Sequence, residues 1–243
     1  MIEQRIARLR AFLQEHDADG VIIVQPENLR YFSAFTGGEG ALVIGLDQAV
    51  LWTDSRYTEQ AANQSGAWYD IKNHHNALSA SIRSSLSDME IGVAAYEENF
   101  LTHFMYENIS DGALCGFLPC DLTSLRAVKE PYELKATRKA SNIADRAFAD
   151  LLPYIKPGVT EKELAARLES NMLLLGSEEK SFTTIVASGK RSAMPHGTAS
   201  PKVVEAGDFV TFDFGAVWEG YHSDITRTVV VGKASQAPKD FYN

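Results

Sequence analysis

Residues 209–228 read FVTFDFGAVWEGYHSDITRT, and they decide how the second half of the chain folds. Two β-prone runs, DFVTFDF and YHSDITRTVVV, flank a VWEG turn region, which predicts an antiparallel hairpin. Centring the connection between Trp218 and Glu219 makes Asp213 face Asp224, whereas an odd loop or a bulge at Gly220 would slip the pairing by one. Directly opposed side chains have Cβ atoms roughly 5 Å apart, where like charges destabilise the pair. Phe212, Phe214, Ile225 and Val229 to Val231 make the setting apolar, and an isolated carboxylate buried there is costly or becomes protonated. Two remedies are open. Arg227 could pair with one aspartate while the other turns to solvent, or divalent cations could be held by both. Carboxylates on adjacent strands suit a pair of ions about 3.5 to 4 Å apart that activate a water, and all-oxygen ligation with at most one imidazole suits Mn, Co, Zn or Mg.

His196 lies between Pro195 and Gly197 in a loop that follows the predicted strand FTTIVASG. Loops carried by a rigid scaffold often present functional groups. On its own this is a surface histidine; the two aspartates make it a candidate.

Working outward, PYELKATRKASNIADRAFADLLPYI predicts a charged amphipathic helix with Glu133 as a favourable charge near its start. PGVTEKELAARLESNMLLLG predicts a second, with Thr160 as N-cap, Glu163 completing a capping box and Gly176 as breaker. The first half alternates differently. Ile6, Leu9, Phe12 and Leu13 mark an amphipathic helix, VIIVQ a buried strand, ALVIGLD and AVLWTD two strands joined near Asp47. NLRYFSAF leads to a Gly37-Gly38 turn. A helix near Arg56 to Gln64, a strand at WYDI, a helix at LSASIRSSL and a strand at IGVAAY follow. Alternation of this kind predicts an α/β domain with a mixed sheet covered by helices, and the change of order near residue 125 predicts two domains, 1–124 and 125–243.

Composition bounds the function. With 243 residues, 45% of them hydrophobic, the chain can bury a real core. A formal charge of −9, with no basic run, argues against nucleic acid and against an anionic membrane as partners. Cys115 and Cys120 lack the companions of a zinc site and read as free thiols of a cytoplasmic protein. The first twenty residues lack the features of a signal peptide, and no stretch reaches a membrane-spanning length. The closing APKDFYN reads as a linker and the first turn of a further helix opened by Pro238, which predicts either a longer natural protein or a frayed tail.

The stretches SFTTIVASGKRSAMPHGTAS and VVEAGDFVTFDFGAVWEGYHSDITRT together resemble the metallopeptidase family with the pita-bread fold, in its Xaa-Pro aminopeptidase and Xaa-Pro dipeptidase (prolidase) branch. NLRYFSAFTGGEGALVIGLDQAVLWTDSRYTEQA resembles that branch's creatinase-like N-terminal domain, and LRAVKEPYELKATRKA the opening of its catalytic domain. The resemblance implies an α/β chain: a creatinase-like mixed-sheet domain followed by the first half of an α+β pita-bread catalytic domain. It implies two divalent metal ions, Mn foremost with Co or Zn as alternatives. Asp213 would bind one, Asp224 would bridge both, and His196 would contact substrate rather than metal. Thr226 would stand beside the bridging carboxylate. The implied reaction is hydrolysis of the Xaa-Pro bond in peptides or dipeptides by a metal-bridged hydroxide, in a cytoplasmic homodimer.

The family's other three ligands, a histidine and two glutamates, belong to a second half of the catalytic domain that this sequence does not contain. His222 is read as facing away from Asp224 and Glu219 as a turn residue, so neither replaces them. A noncatalytic pita-bread protein that binds peptides or partners is the alternative, and a metal-free creatine amidinohydrolase ranks below both.

Overall fold

The structure, a computed structural model, describes residues 1–233. APKDFYN falls outside the described residues. Tertiary contacts divide the chain into two units, Met1–Val128 and Lys129–Asn243.

In the first unit, α1 (Ile2–Glu15) turns Ile2, Ile6, Leu9 and Leu13 inward at helical spacing. β1 (Gly20–Ile23) follows, then α2 (Pro26–Ser33), β2 (Ala41–Gly45), β3 (Ala49–Thr53), α3 (Thr58–Ser65) and β4 (Asp70–Asn73). α4 (Leu78–Asp88), β5 (Val93–Glu97), α5 (His103–Ser110), β6 (Gly116–Cys120) and α6 (Thr123–Ala127) complete it. The six-stranded sheet has the order β4-β3-β2-β1-β5-β6. It is mixed: β1 runs antiparallel to β2 and parallel to β5. Alternation places Val21, Ile23, Leu42 and Ile44 in one core cluster, and Ile22, Ala41 and Val43 in another.

The NLRYFSAF stretch is a helix in the structure rather than a plain lead into a turn. Pro26 at its first position presets the helical φ, and Ala34 closes it in the left-handed region at φ 64°. α6 goes with the first unit although a break was expected at 124/125. Leu122 and Leu125 pack on that unit's core, and the Tyr31 hydroxyl donates to the Leu125 carbonyl at 2.9 Å.

The second unit opens with α7 (Pro131–Leu151) and α8 (Glu161–Leu174). Both carry capping boxes: the Glu133 carboxylate accepts from the Glu130 N–H at 2.9 Å, and Glu163 from the Thr160 N–H at 2.7 Å. Gly176 ends α8's turn at φ 99°. β7 (Ile185–Ser188), β8 (Phe209–Phe214), β9 (Val217–Trp218), β10 (Tyr221–His222) and β11 (Ile225–Val230) follow. β11, β8 and β7 form an antiparallel sheet in that order, and β9 pairs with β10. Val210, Phe212 and Phe214 are fully buried with residues of α7 and α8. The Phe148 ring lies 5.3 Å from Phe212 and 5.5 Å from Phe214, contacts each worth about 1 kcal/mol beyond burial. No helix among the described residues is long and apolar enough to cross a membrane.

Two features of this unit generate stability predictions. A Cβ at Gly215 would stand 1.8 Å from the Ser223 carbonyl oxygen, where the chain passes from β8 into β9. Gly215→Ala is therefore expected to lower the unfolding free energy by about 3 kcal/mol in chemical denaturation. A loss below about 1 kcal/mol would show that the strands part easily there. Asp208, just before β8, receives the Lys202 ammonium at 2.7 Å and the Glu205 N–H at 3.0 Å, while Lys202 also reaches Ser188 at the end of β7. Burial pushes the Asp208 carboxyl up, but Lys202 and the Glu205 N–H outweigh it and hold the group below its ordinary 3.8. Its contribution to stability is thus present above 3.8 and is lost as pH falls through the lower native value. Melting curves across the acid range should show Asp208→Asn less stable near neutrality and with a shallower acid decline than the parent; parallel curves would contradict this.

Candidate functional site

The alternation that buries Phe212 and Phe214 turns Thr211 and Asp213 to the opposite face of the sheet, where both are half-buried. Asp213 pairs across the ladder with Thr226, and Thr211 with Thr228. The Thr226 hydroxyl donates to Asp213 Oδ1 at 3.1 Å, and the Thr211 and Thr228 hydroxyls lie 3.1 Å apart. Asp224 stands one residue before β11, two residues from Thr226 and so on the same alternation, and it is exposed.

The expected face-to-face pairing of Asp213 with Asp224 does not occur. Both ladders of the hairpin share one register, with Val217 opposite His222 and Thr226 opposite Asp213, so the turn is Glu219-Gly220. Both turn residues have positive φ, 50° and 71°, as a two-residue primed turn requires, and such turns take glycine readily at the second position. Moving the turn centre by one residue shifts the pairing by two, which keeps every side chain on its face. The aspartates then sit diagonally, about 7 Å apart by sheet geometry, and their repulsion is milder than direct opposition would give. Nor are they sealed in an apolar pocket, because their face of the sheet is the one turned away from α7 and α8.

Arg227 is not their neutraliser. It lies opposite Phe212, on the helix side, and its guanidinium meets Asp145 of α7 at 2.8 Å. Neither Asp213 nor Asp224 has an ion-pair partner among the described residues. His222 also departs from expectation. Two residues from Asp224, it shares that residue's alternation rather than opposing it, but its Nδ1 is engaged by the Ser181 hydroxyl at 2.9 Å. Thr226 was expected beside the bridging carboxylate and instead serves Asp213.

His196 is exposed, in the loop between β7 and β8. Gly197 brings that loop onto the sheet: a Cβ there would lie 3.0 Å from the Ala187 Cβ and 3.2 Å from the Met194 carbonyl oxygen. Ala187 pairs with Thr211, so its side chain shares the face of Asp213. One residue on, Thr198 bridges to Ile185, which in turn faces Asp213. Thr198 is thus two strand spacings, about 10 Å, from Asp213. The fold therefore brings the His196 loop and both aspartates to one face of one sheet.

Hard carboxylate oxygens on an open face fit a divalent cation, and no hydrogen bond among the described residues engages Asp213 Oδ2 or the Asp224 carboxylate. They supply one wall of such a site. Among the described residues no group of three or more His, Cys, Asp or Glu side chains gathers to hold a metal.

Comparison with known proteins bears on both units. Residues 5–128 match the creatinase/prolidase N-terminal domain, and residues 135–243 match metallopeptidase family M24. An uncharacterized peptidase of Bacillus subtilis is 40% identical over 98% of this chain and 68% of its own length. Among solved structures, the Xaa-Pro dipeptidase from Bacillus anthracis matches with a TM-score of 0.95 and 39% identity, over 100% of this chain and 68% of that one. The X-Pro aminopeptidase from Thermotoga maritima matches with a TM-score of 0.85 and 36% identity, over 97% of this chain and 67% of that one.

Proposed function

We propose, from the premise that this chain belongs to metallopeptidase family M24, that the protein is a proline-specific exopeptidase hydrolysing the Xaa-Pro bond of dipeptides or longer peptides. The observation that carries this reading is the convergence of Asp213, Asp224 and the His196 loop on one open sheet face. It is supported by similarity to proteins named Xaa-Pro dipeptidase and X-Pro aminopeptidase.

In this reading Asp213 and Asp224 hold divalent ions, Mn foremost, with Co and Zn as alternatives. Such ions, when bound, polarise a peptide carbonyl and supply an activated water at neutral pH. The Thr226 hydroxyl fixes the Asp213 carboxylate through Oδ1 and leaves Oδ2 free to ligate. His196, on a loop held against Ala187, donates a hydrogen bond to the substrate carbonyl oxygen as negative charge gathers there. In this reading the protein acts as a cytoplasmic homodimer.

A second reading, a pita-bread protein that binds peptides without turnover, is favoured by one observation: no third metal-ligating side chain joins the two aspartates among the described residues.

Hydrolysis of Xaa-Pro dipeptides and Xaa-Pro-Yaa tripeptides with added Mn separates the two, using protein expressed from the complete reading frame beside the 243-residue chain. The exopeptidase reading expects cleavage of at least one substrate class by the former, abolished in Asp224→Ala. It expects His196→Ala to lower kcat about 100-fold or more. No cleavage of either class would leave the binding protein as the better account, and an unchanged rate in Asp224→Ala would remove Asp224 from the site that cleaves. Thr226→Val tests the ligand assignment separately: Mn affinity, read by calorimetric titration, should fall about 10- to 100-fold. Unchanged affinity would show that the Thr226 hydroxyl does not orient Asp213 as a ligand.

A further inference from the structure

Glu161, the first residue of α8, is fully buried, and its carboxylate is saturated by both ends of the His196 loop. Oε1 accepts the Ser188 N–H at 2.7 Å and the Ser188 hydroxyl at 2.9 Å. Oε2 accepts the Ser200 N–H at 3.0 Å and the Ser200 hydroxyl at 2.6 Å. Ser188 ends β7, where the loop departs, and Ser200 lies where it returns. Between them Arg191 donates Nε to both carboxylate oxygens, at 3.3 and 3.2 Å, and a terminal nitrogen to the Thr198 carbonyl at 2.7 Å. The start of α8 adds two backbone bonds, Glu161 N–H to the Lys202 carbonyl at 3.0 Å and Lys162 N–H to the Ser200 carbonyl at 3.2 Å.

A carboxylate has about four lone-pair sites, and here each is filled by a donor from the loop's two ends or its middle. Burial pushes Glu161 up, yet the Ser200 hydroxyl and the Ser188 and Ser200 N–H groups outweigh it and hold the group below its ordinary 4.5, so it is charged at neutral pH. Buried, fully bonded charges contribute little net stability compared with apolar packing; what they fix is geometry. The geometry fixed here is that of one loop. His196 has no side-chain hydrogen bond among the described residues, and only the backbone bonds Gly197 N–H to the Met194 carbonyl and Thr198 N–H to the His196 carbonyl shape its immediate turn. Its place over the sheet is inherited from where the loop is fastened.

We propose that Glu161 is a positioning residue for catalysis: by fastening both ends of the 189–199 loop to one carboxylate, it fixes His196 over the face that carries Asp213 and Asp224. This rests on the exopeptidase reading of that face. Glu161 acts only through His196, and it has no part in holding the metal.

The test is a double-mutant cycle in Mn-loaded protein from the complete reading frame, together with amide hydrogen exchange. Glu161→Gln puts an amide nitrogen where an oxygen accepted three donors, so one end of the loop comes free. It should lower kcat about tenfold or more while KM and Mn affinity stay within about twofold. Amides of residues 189–200 should exchange about tenfold faster, with those of α7 and β8 unchanged. In a His196→Ala background, Glu161→Gln should cost less than about twofold. The same loss in both backgrounds, or exchange that rises throughout the second unit, would overturn the proposal. If His196→Ala itself leaves kcat unchanged, the exopeptidase role of His196 fails first and the proposal falls with it, while faster exchange confined to 189–200 would still show that Glu161 orders the loop. Should Glu161→Gln not fold, Ser200→Ala removes one hydroxyl donor and is held to the same pattern at smaller amplitude.

Discussion

The alternation along β8 is the constraint on which the second unit depends. Val210, Phe212 and Phe214 must face α7 and α8, because the core between helices and sheet is built from them and Phe148. With a period of two, that burial obliges Thr211 and Asp213 to face the other way, and pairing brings Thr226 and Thr228 beside them. A polar strip on an otherwise apolar strand is therefore no accident of composition. Packing on one face is what presents carboxylate chemistry on the other.

Two devices hold that face in register. Glu219-Gly220 makes the tight turn, and Gly215 lets the Ser223 carbonyl approach where no side chain could fit. Ser223 then bonds the Ala216 N–H through its hydroxyl at 2.9 Å and donates its own N–H to the Ala216 carbonyl at 2.9 Å. The loop carrying His196 joins the same face from the β7 edge. Thus the candidate site draws on three separate stretches of chain, the two aspartates placed by the hairpin's backbone pairing and the His196 loop fastened by the Glu161 carboxylate.

Much of this was legible in the sequence, for identifiable reasons. The helix starts at Thr160 and the stop at Gly176 were readable because capping chemistry is local. The hairpin was readable from its flanking β-prone runs. Its register was not read correctly, although the Glu219-Gly220 dipeptide carries the signal, since a turn centred one residue later still satisfies the apolar pattern. The partner of Arg227 was illegible because Asp145 lies on a helix far away in sequence. The same holds for Glu161: nothing in TEKEL distinguishes it from an ordinary first-turn acid until Ser188 and Ser200 are folded onto it. The helix α2 went unread because only two residues separate its Pro26 start from β1.

The central claim is that Asp213 and Asp224 are ligands of a metal centre on the open face of the β7-β8-β11 sheet. Anomalous diffraction at the manganese edge, from crystals of the protein expressed from its complete reading frame and soaked in Mn, tests it most directly. The account predicts two anomalous peaks on that face, one within ligation distance of the Asp213 carboxylate and both within reach of Asp224. Peaks elsewhere with this face empty, or none at all in crystals that hydrolyse Xaa-Pro peptides, would contradict it.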